Sequence, residues 1–168
     1  MVHRAARIGD AVADDLPAIA AILNHSILNT TAAWYDDPCT DEWMAAWFEL
    51  RRAKGWPVLA ARVGGRVVGY ATYGEFRSRT GYRDTMEHSV YVDASYHRAG
   101  IGRSLLTALV DRARANGVHV LVGGIADENE ASIALHRALG FEEVARMPEV
   151  GQKFGRWLTL VFMQKILS

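Results

Sequence analysis

The sequence has little cysteine and no excess of either charge. Cys39 is the only cysteine among 168 residues, so no disulfide can form within the chain, and such usage is typical of a reducing compartment. Lysine plus arginine and aspartate plus glutamate number 19 each, which leaves no overall basic charge to attract nucleic acid or anionic lipid. We therefore expect a cytoplasmic protein with no nucleic-acid partner.

Long apolar segments and linkers are scarce as well. The longest strictly apolar run near the start covers residues 18–23, far less than the roughly 20 residues that cross a bilayer. No low-complexity tract or linker interrupts the chain, and no His, Cys or carboxylate pair has zinc-ligand spacing. We expect residues 1–168 to form one domain with no membrane partner and no metal.

The sequence instead alternates between short strand and helix patterns. Gly64-Gly65 is typical of a tight hairpin between two antiparallel strands. Helices are predicted at residues 16–28, from Asp41 to before Gly55, from Gly102 to Asn116-Gly117, and at 129–139. Strands are predicted near residues 6–11, 58–62, 67–73, 87–92, 118–125, 141–147 and 157–165. This order predicts an α/β fold with a mixed, mostly antiparallel sheet flanked by helices.

Two of these helices have apolar stripes that predict a buried face. Asp41 is predicted to cap the second helix, whose stripe packs in the core or on a partner. That stripe consists of Trp43, Ala46, Trp47 and Leu50. In the third helix the stripe consists of Leu105, Leu106, Leu109, Val110 and Ala113.

A glycine-containing loop joins the strand that ends near Val92 to the third helix. Gly100 and Gly102 let the backbone turn tightly, and free amides at a helix start favour a phosphate. A P-loop would need Gly-Lys-Ser/Thr, and the dinucleotide fingerprint would need a glycine where Leu105 stands. The loop therefore predicts a backbone phosphate site, although a simple turn would use the same glycines.

A second informative segment, residues 129–141, aligns polar side chains on one helix face. Asn129, Ser132 and His136 are spaced at i, i+3 and i+7, which stacks them along the helix. They predict a functional polar stripe. The alternative is a capping asparagine, a small serine and a surface histidine.

The glycine-containing loop followed by residues 129–141 resembles the Gcn5-related N-acetyltransferase (GNAT) superfamily. The resemblance extends over essentially the whole chain. Asn129, His136 and Gly140-Phe141 match the CoA-contacting Asn, the general-acid Tyr and the Gly-Phe of its later helix, with His replacing Tyr. The resemblance implies a single-domain GNAT-type fold with the acetyl-CoA pyrophosphate on the glycine loop. That loop departs from the usual pattern at His97 and Arg98. Because main-chain amides make most of the phosphate contacts, we expect binding if the turn is kept.

A narrower set of strings resembles the phosphinothricin and methionine sulfoximine N-acetyltransferases. The matching strings are Asn24-His25, Trp34, Gly69-Tyr70-Ala71, Phe76-Arg77, residues 87–92 and residues 150–157. This resemblance implies acetyl transfer from acetyl-CoA to the α-amino group of a small amino-acid analogue. Phosphinothricin, methionine sulfoximine and methionine sulfone are the implied acceptors, and a homodimer is the implied assembly.

The same resemblance implies which residues form the site. Those implied to contact acetyl-CoA are Val90, Tyr91, Val92, Arg98, Ala99, Gly100, Ile101, Gly102, Arg103 and Asn129. Those implied to line the acceptor site are Arg77, Ser78, Arg79, Glu87, His88 and Ser89.

The chemistry of the transfer assigns roles to some of these side chains. An α-amine is mostly protonated at neutral pH and needs a base before it can attack a thioester. Glu87 is the predicted base, and His136 is predicted to protonate the departing thiolate or to share proton handling with Glu87. Arg77 and Arg79 can hold a carboxylate or phosphinate by paired hydrogen bonds. The alternative is that these groups are solvated surface residues.

Two other functions compete with this prediction. An acetyltransferase for protein N-termini or other amines would need an open groove, whereas the arginine cluster favours a free amino acid. A non-catalytic CoA-binding sensor would not need Glu87 and His136. The sequence therefore predicts an amino-acid N-acetyltransferase.

Overall fold

Seven strands form one mixed sheet in the computed structural model, which describes residues 6–167. The strands are β1 (Arg7–Asp10), β2 (Val58–Val63), β3 (Arg66–Glu75), β4 (Thr85–Val92), β5 (Val120–Ala126), β6 (Glu142–Lys153) and β7 (Arg156–Ile166). Their order in the sheet is β1-β2-β3-β4-β5-β7-β6. The β4–β5 pair is parallel and the other neighbouring pairs are antiparallel. The predicted α/β class is therefore confirmed.

Four helices cover the two faces of this sheet. They are α1 (Leu16–Asn29), α2 (Asp41–Lys54), α3 (Ile101–Ala115) and α4 (Glu130–Ala138). Buried residues of α1 and α2 form one core cluster, and those of α3 and α4 belong to the other. No helix within residues 6–167 is long and apolar enough to cross a membrane.

The hairpin and the third helix agree with the sequence prediction. Gly64 and Gly65 have φ angles of 60° and 87° between β2 and β3, the left-handed region that a tight hairpin uses. The predicted apolar stripe of α3 is buried, together with Ile101. These elements fix the strand and the helix start that flank the glycine loop.

The predicted cap of α2 is wrong, and of its predicted apolar stripe only Trp47 packs, half-buried, against the core cluster within residues 6–167. Thr40, not Asp41, caps the helix, because its backbone is extended and its Oγ1 accepts a 3.1 Å hydrogen bond from the amide of Trp43. Met44 and Phe48 face the core, whereas Trp43 and Leu50 are exposed. The rings of Trp43 and Trp47 stack on each other with centroids 6.4 Å apart. They therefore cover apolar area on the flank of the helix rather than beneath it.

The last two strands extend further than the sequence predicts. β6 was predicted to end at residue 147, but it continues to Lys153. Its pairing with β7 is irregular between Met147 and Gly151, and Glu149 has a φ of 55°. The continuation could not be predicted from the sequence because of Pro148, since proline in a sheet is confined to bulges and edge strands. The longer hairpin reaches the loop between α1 and α2.

Candidate active site

The parallel strands β4 and β5 separate halfway along their length. Their register pairs residues 85–88 with residues 120–123. Beyond that point β4 stays paired with β3 as far as Val92, which lies opposite Gly69. The second half of β4 therefore has one open edge, and a cleft lies between it and β5.

Val90 and Val92 direct their backbone polar groups into this cleft. The amide of Asp93 donates to the carbonyl of Val68 on β3 at 2.8 Å. Because alternate residues bond to alternate sides of a strand, the backbone groups of Val90 and Val92 face away from β3. The ring Nε2 of His97 donates to the Val92 carbonyl at 3.1 Å. The amides of Val90 and Val92 remain as donors along the cleft.

The cleft leads to the N-terminus of α3. Arg98 and Gly100 have φ angles of 63° and 77°, so the tight turn is kept although a non-glycine residue stands at position 98. The first intrahelical bond runs from the Ser104 amide to the Gly100 carbonyl at 3.1 Å. The amides of residues 101–103 therefore have no helical partner and face an incoming anion. This arrangement fits the pyrophosphate of acetyl-CoA.

Gly102 keeps this helix start uncovered. A Cβ at this position would make van der Waals contacts, at 3.5 Å from Leu135 Cδ2 and 3.8 Å from Val92 Cγ2. Because the Cα–Cβ bond in a helix tilts towards the N-terminus, we expect a large side chain there to cover the free amides.

The side chains of β4 alternate between the two faces of the sheet. Tyr91 packs with the α1–α2 cluster, whereas Val90 and Val92 pack with the α3–α4 cluster. By this alternation Glu87 and Ser89 share the face of Tyr91. His88 points to the opposite face, so the structure does not bring its side chain together with Glu87 and Ser89.

Glu87 lies on β4 just before the point where this strand separates from β5. Its Oε1 lies 3.5 Å from the position that a Cβ of Gly124 would take, so the absence of a side chain on Gly124 leaves room for the carboxylate. Glu87 is solvent-exposed, yet partial desolvation of its carboxylate by the surrounding protein raises its pKa, and the charge of Arg77 opposes this rise. A raised pKa makes a carboxylate a better proton acceptor.

The predicted arginine loop follows β3. Residues 77–79 are exposed, and the Arg77 guanidinium lies 5.4 Å from the centroid of the Phe76 ring. The charge of Arg77 lowers the pKa of Glu87, and the exposure of residues 77–79 agrees with the alternative of a solvated loop. The roles of Arg77, Ser78 and Arg79 in binding an acceptor stay predictions.

His136 is buried and paired with a second histidine. It is only 4% exposed, so the alternative of a surface histidine is wrong. Its Nδ1 lies 2.7 Å from the Ser132 carbonyl and its Nε2 lies 2.8 Å from Nε2 of His88. A carbonyl only accepts, so neutral His136 carries its proton on Nδ1 and accepts from His88 at Nε2. Both ring nitrogens of His136 are therefore bonded within the protein.

Gly123 makes room for the histidine pair. A Cβ on this residue would lie 3.0 Å from His88 Cε1 and 3.1 Å from His136 Nε2. Burial, together with the neighbouring His136, lowers the pKa of His88, and burial lowers that of His136. The Nδ1 of His88 is buried, and an interaction of the His88 ring with the Val122 backbone opposes the fall in its pKa.

Asn129 has the structural role that the sequence left open. Its Oδ1 accepts a 3.2 Å hydrogen bond from the Ser132 amide and so caps α4. Asn129, Ser132 and His136 all line the cleft between β4 and β5. The polar stripe therefore both starts the helix and borders the cleft.

A group of contacts that sequence reasoning missed, called the clamp here, holds the loop between α1 and α2 against later parts of the chain. The Lys153 ammonium donates to the Ala33 carbonyl. Glu128 accepts from Thr31 at 2.6 Å and from both terminal nitrogens of Arg156 at 2.8 Å. These contacts fasten the α1–α2 loop to the loop between β5 and α4 and to the β6–β7 hairpin. They join residues up to 120 positions apart, and no local pattern carries that information.

Comparison with known proteins identifies the family. A model of the acetyltransferase (GNAT) family matches residues 21–141. The chain belongs to the GNAT family. It is 52% identical to a Pseudomonas aeruginosa L-methionine sulfoximine/L-methionine sulfone acetyltransferase, over 95% of this chain and 93% of that protein.

Two solved GNAT structures superpose closely. A putative acetyltransferase from Salmonella typhimurium with its cofactor acetyl-CoA has a TM-score of 0.95 and 48% identity, covering 98% of this chain and 95% of that one. A Sinorhizobium meliloti phosphinothricin acetyltransferase in complex with acetyl-CoA has a TM-score of 0.95 and 40% identity, covering 98% and 90%. The predicted GNAT fold is confirmed. Within the described part of the chain, no cluster of His, Cys, Asp and Glu has the arrangement of a metal site.

The histidine pair predicts an acid-sensitive fold. Because both pKa values are lowered in the folded chain, the unfolded chain takes up protons first as pH falls. The stability from the neutral pair is complete above about pH 6.5 and is lost below it. In His88→Gln, the slope of unfolding free energy against pH between 6.5 and 5 should be shallower by up to about 1.4 kcal/mol per unit.

Urea unfolding at a series of pH values measures this slope. His25→Gln, an exposed position on α1, controls for the substitution itself. An unchanged slope in the His88 variant would show that the pair does not couple protonation to folding.

Proposed function

We propose that this protein transfers the acetyl group of acetyl-CoA to the α-amino group of a small amino acid. Methionine sulfone, methionine sulfoximine and phosphinothricin are the proposed acceptors. The observation that most supports this proposal is the cleft between β4 and β5. It combines free backbone amides, the α3 N-terminus and the Glu87 carboxylate with its raised pKa. The substrates printed in the names of the relatives support the same choice.

Acetyl-CoA supplies an acetyl group that is activated as a thioester. The amides of residues 101–103 and the turn at Arg98 and Gly100 would hold its pyrophosphate. The backbone of residues 90–92 would hold the arm that leads to the acetyl group. Asn129 keeps its Nδ2 available for a contact, because only its Oδ1 is used in capping α4.

On the acceptor side, Glu87 would take a proton from the α-amine. Arg77 and Arg79 would bind the α-carboxylate through their guanidinium groups, and Ser89 lies beside Glu87 on the same face. The role of His136 as the acid for the departing thiolate stays a prediction. Burial lowers the pKa of His136, and the one proton of the neutral ring, on Nδ1, is held by the Ser132 carbonyl.

The clamp favours a small acceptor over a protein N-terminus. The bonds of Lys153 with Ala33 and of Glu128 with Thr31 and Arg156 fix the segment around Ala32, which lines the cleft, and so would limit the room for a peptide acceptor. A CoA-binding sensor is disfavoured because it would have no use for a carboxylate of raised pKa at the acceptor side.

Release of the CoA thiol in the presence of candidate acceptors tests the proposed function. We expect release with methionine sulfone, methionine sulfoximine or phosphinothricin, and none with a peptide N-terminus or a polyamine. Release with the peptide alone would contradict the choice of acceptor.

Glu87→Gln tests the assignment of the base in the same assay. It keeps the size of the side chain and removes its basicity, so turnover at pH 7 should fall by about 10²–10⁴. The deficit should shrink as pH rises, because more amine then arrives deprotonated. Glu75→Gln, the same change at an exposed position on β3, is the matched control. A near-normal rate for Glu87→Gln at pH 7 would rule this base out.

We also propose a homodimer. β6 lies at the edge of the sheet and exposes Val144, Met147 and Val150, and Trp157 on β7 is 60% exposed. An exposed apolar edge strand is a natural site of association. Light scattering should give twice the chain mass, and a monomer at assay concentration would contradict the proposal. The cytoplasmic location stays a prediction.

A further inference from the structure

Arg51, on α2, is a half-buried cation without an ion-pair partner among residues 6–167. Its Nε donates to Thr72 Oγ1 at 3.0 Å, and its guanidinium lies 4.1 Å from the centroid of the Trp47 ring. Burial lowers the pKa of Arg51 to about 10, so the group stays charged at neutral pH. These contacts hold the guanidinium in place while its two terminal nitrogens keep their hydrogens free for another partner.

The strand register places this guanidinium beside the acceptor side of the cleft. Thr72 lies opposite Ser89, and Gly74 lies opposite Glu87. Directly opposed residues of an antiparallel pair share a face. A Cβ on Gly74 would lie 3.6 Å from an Nη of Arg51, so the guanidinium lies over β3 on that face.

The Glu87 carboxylate points away from β3, towards Gly124 on β5. The Arg51 guanidinium, which lies over β3, and the Glu87 carboxylate therefore flank the space over Ser89 from two sides. An acceptor whose amine meets Glu87 would extend its side chain towards Arg51.

Aromatic rings make an apolar wall on the Arg51 side. The Trp47 ring lies 6.1 Å from that of Tyr70, and the Tyr70 ring lies 5.5 Å from that of Tyr91. Tyr35 from the α1–α2 loop contacts Trp43 at 6.2 Å. A hydrogen bond in such an environment is stronger than in open water, and an unpaired polar group is costlier.

We propose that Arg51 binds the side-chain head group of the acceptor, a tetrahedral sulfur or phosphorus centre that carries oxygen. This inference rests on the proposed function and assigns the site that selects its substrate. The guanidinium fork matches two oxygens on one centre. A thioether sulfur is only a weak hydrogen-bond acceptor. Unoxidised methionine would therefore leave the half-buried guanidinium without a hydrogen-bond partner. The site thereby discriminates against methionine.

Steady-state kinetics with two acceptors test this assignment. For methionine sulfone, Arg51→Met should lower kcat/KM by about 10- to 100-fold, mainly through KM. For methionine, the same variant should change kcat/KM less than twofold, and Arg51→Lys should lie between Arg51→Met and the wild type for the sulfone. Arg52→Met is the matched control, because Arg52 is exposed on the same helix and lies 3.7 Å from Glu49.

Equal losses for both acceptors in Arg51→Met and Arg51→Lys would show a structural role and overturn the assignment, as would no loss for the sulfone. An unchanged KM for acetyl-CoA confirms that the variants are folded. Calorimetric titration of methionine sulfone into the CoA-bound protein separates the two proposals. Binding without turnover in the wild type refutes the proposed function. The Arg51 assignment is then tested by comparing the Kd of Arg51→Met for methionine sulfone with that of the wild type. Absence of binding to the wild type refutes the Arg51 assignment itself.

Discussion

The divergence of β4 from β5 is the constraint on which the site depends. A parallel pair needs a crossover connection, and α3 provides it here. Since α3 begins where β4 ends, its free amides lie at the mouth of the gap that opens when the strands part. One feature of chain connectivity thus places an anion site and an unpaired strand edge side by side, as expected at the carboxyl ends of strands.

Because the side chains of β4 alternate, the groups proposed for proton transfer lie on opposite faces of the sheet. Glu87 faces α1 and α2, where the proposed acceptor would bind, whereas His88 faces α4 and bonds to His136. Gly123 and Gly124 lack the side chains that would fill these two spaces. The acceptor and the leaving group would therefore meet across the cleft rather than on one surface.

Local patterns predict the parts of this structure that local geometry decides. The Gly64-Gly65 hairpin, the buried stripe of α3 and the turn before Gly102 each depend on neighbouring residues. The buried face of α2 could not be predicted, because the Trp43–Trp47 stack places large apolar rings on a flank. The His88–His136 pair joins positions 48 residues apart, and the unpaired state of Arg51 is visible only once its surroundings are folded.

Calorimetric titration of acetyl-CoA into a Gly102→Phe variant tests the central claim most directly. If the free amides at the start of α3 hold the pyrophosphate, the covering ring should raise Kd at least about tenfold, or about 1.4 kcal/mol. Gly81→Phe is the control, because a Cβ there meets nothing within 4 Å and the residue lies outside the cleft. An unchanged Kd in a Gly102→Phe protein that melts cooperatively would contradict this account of the site.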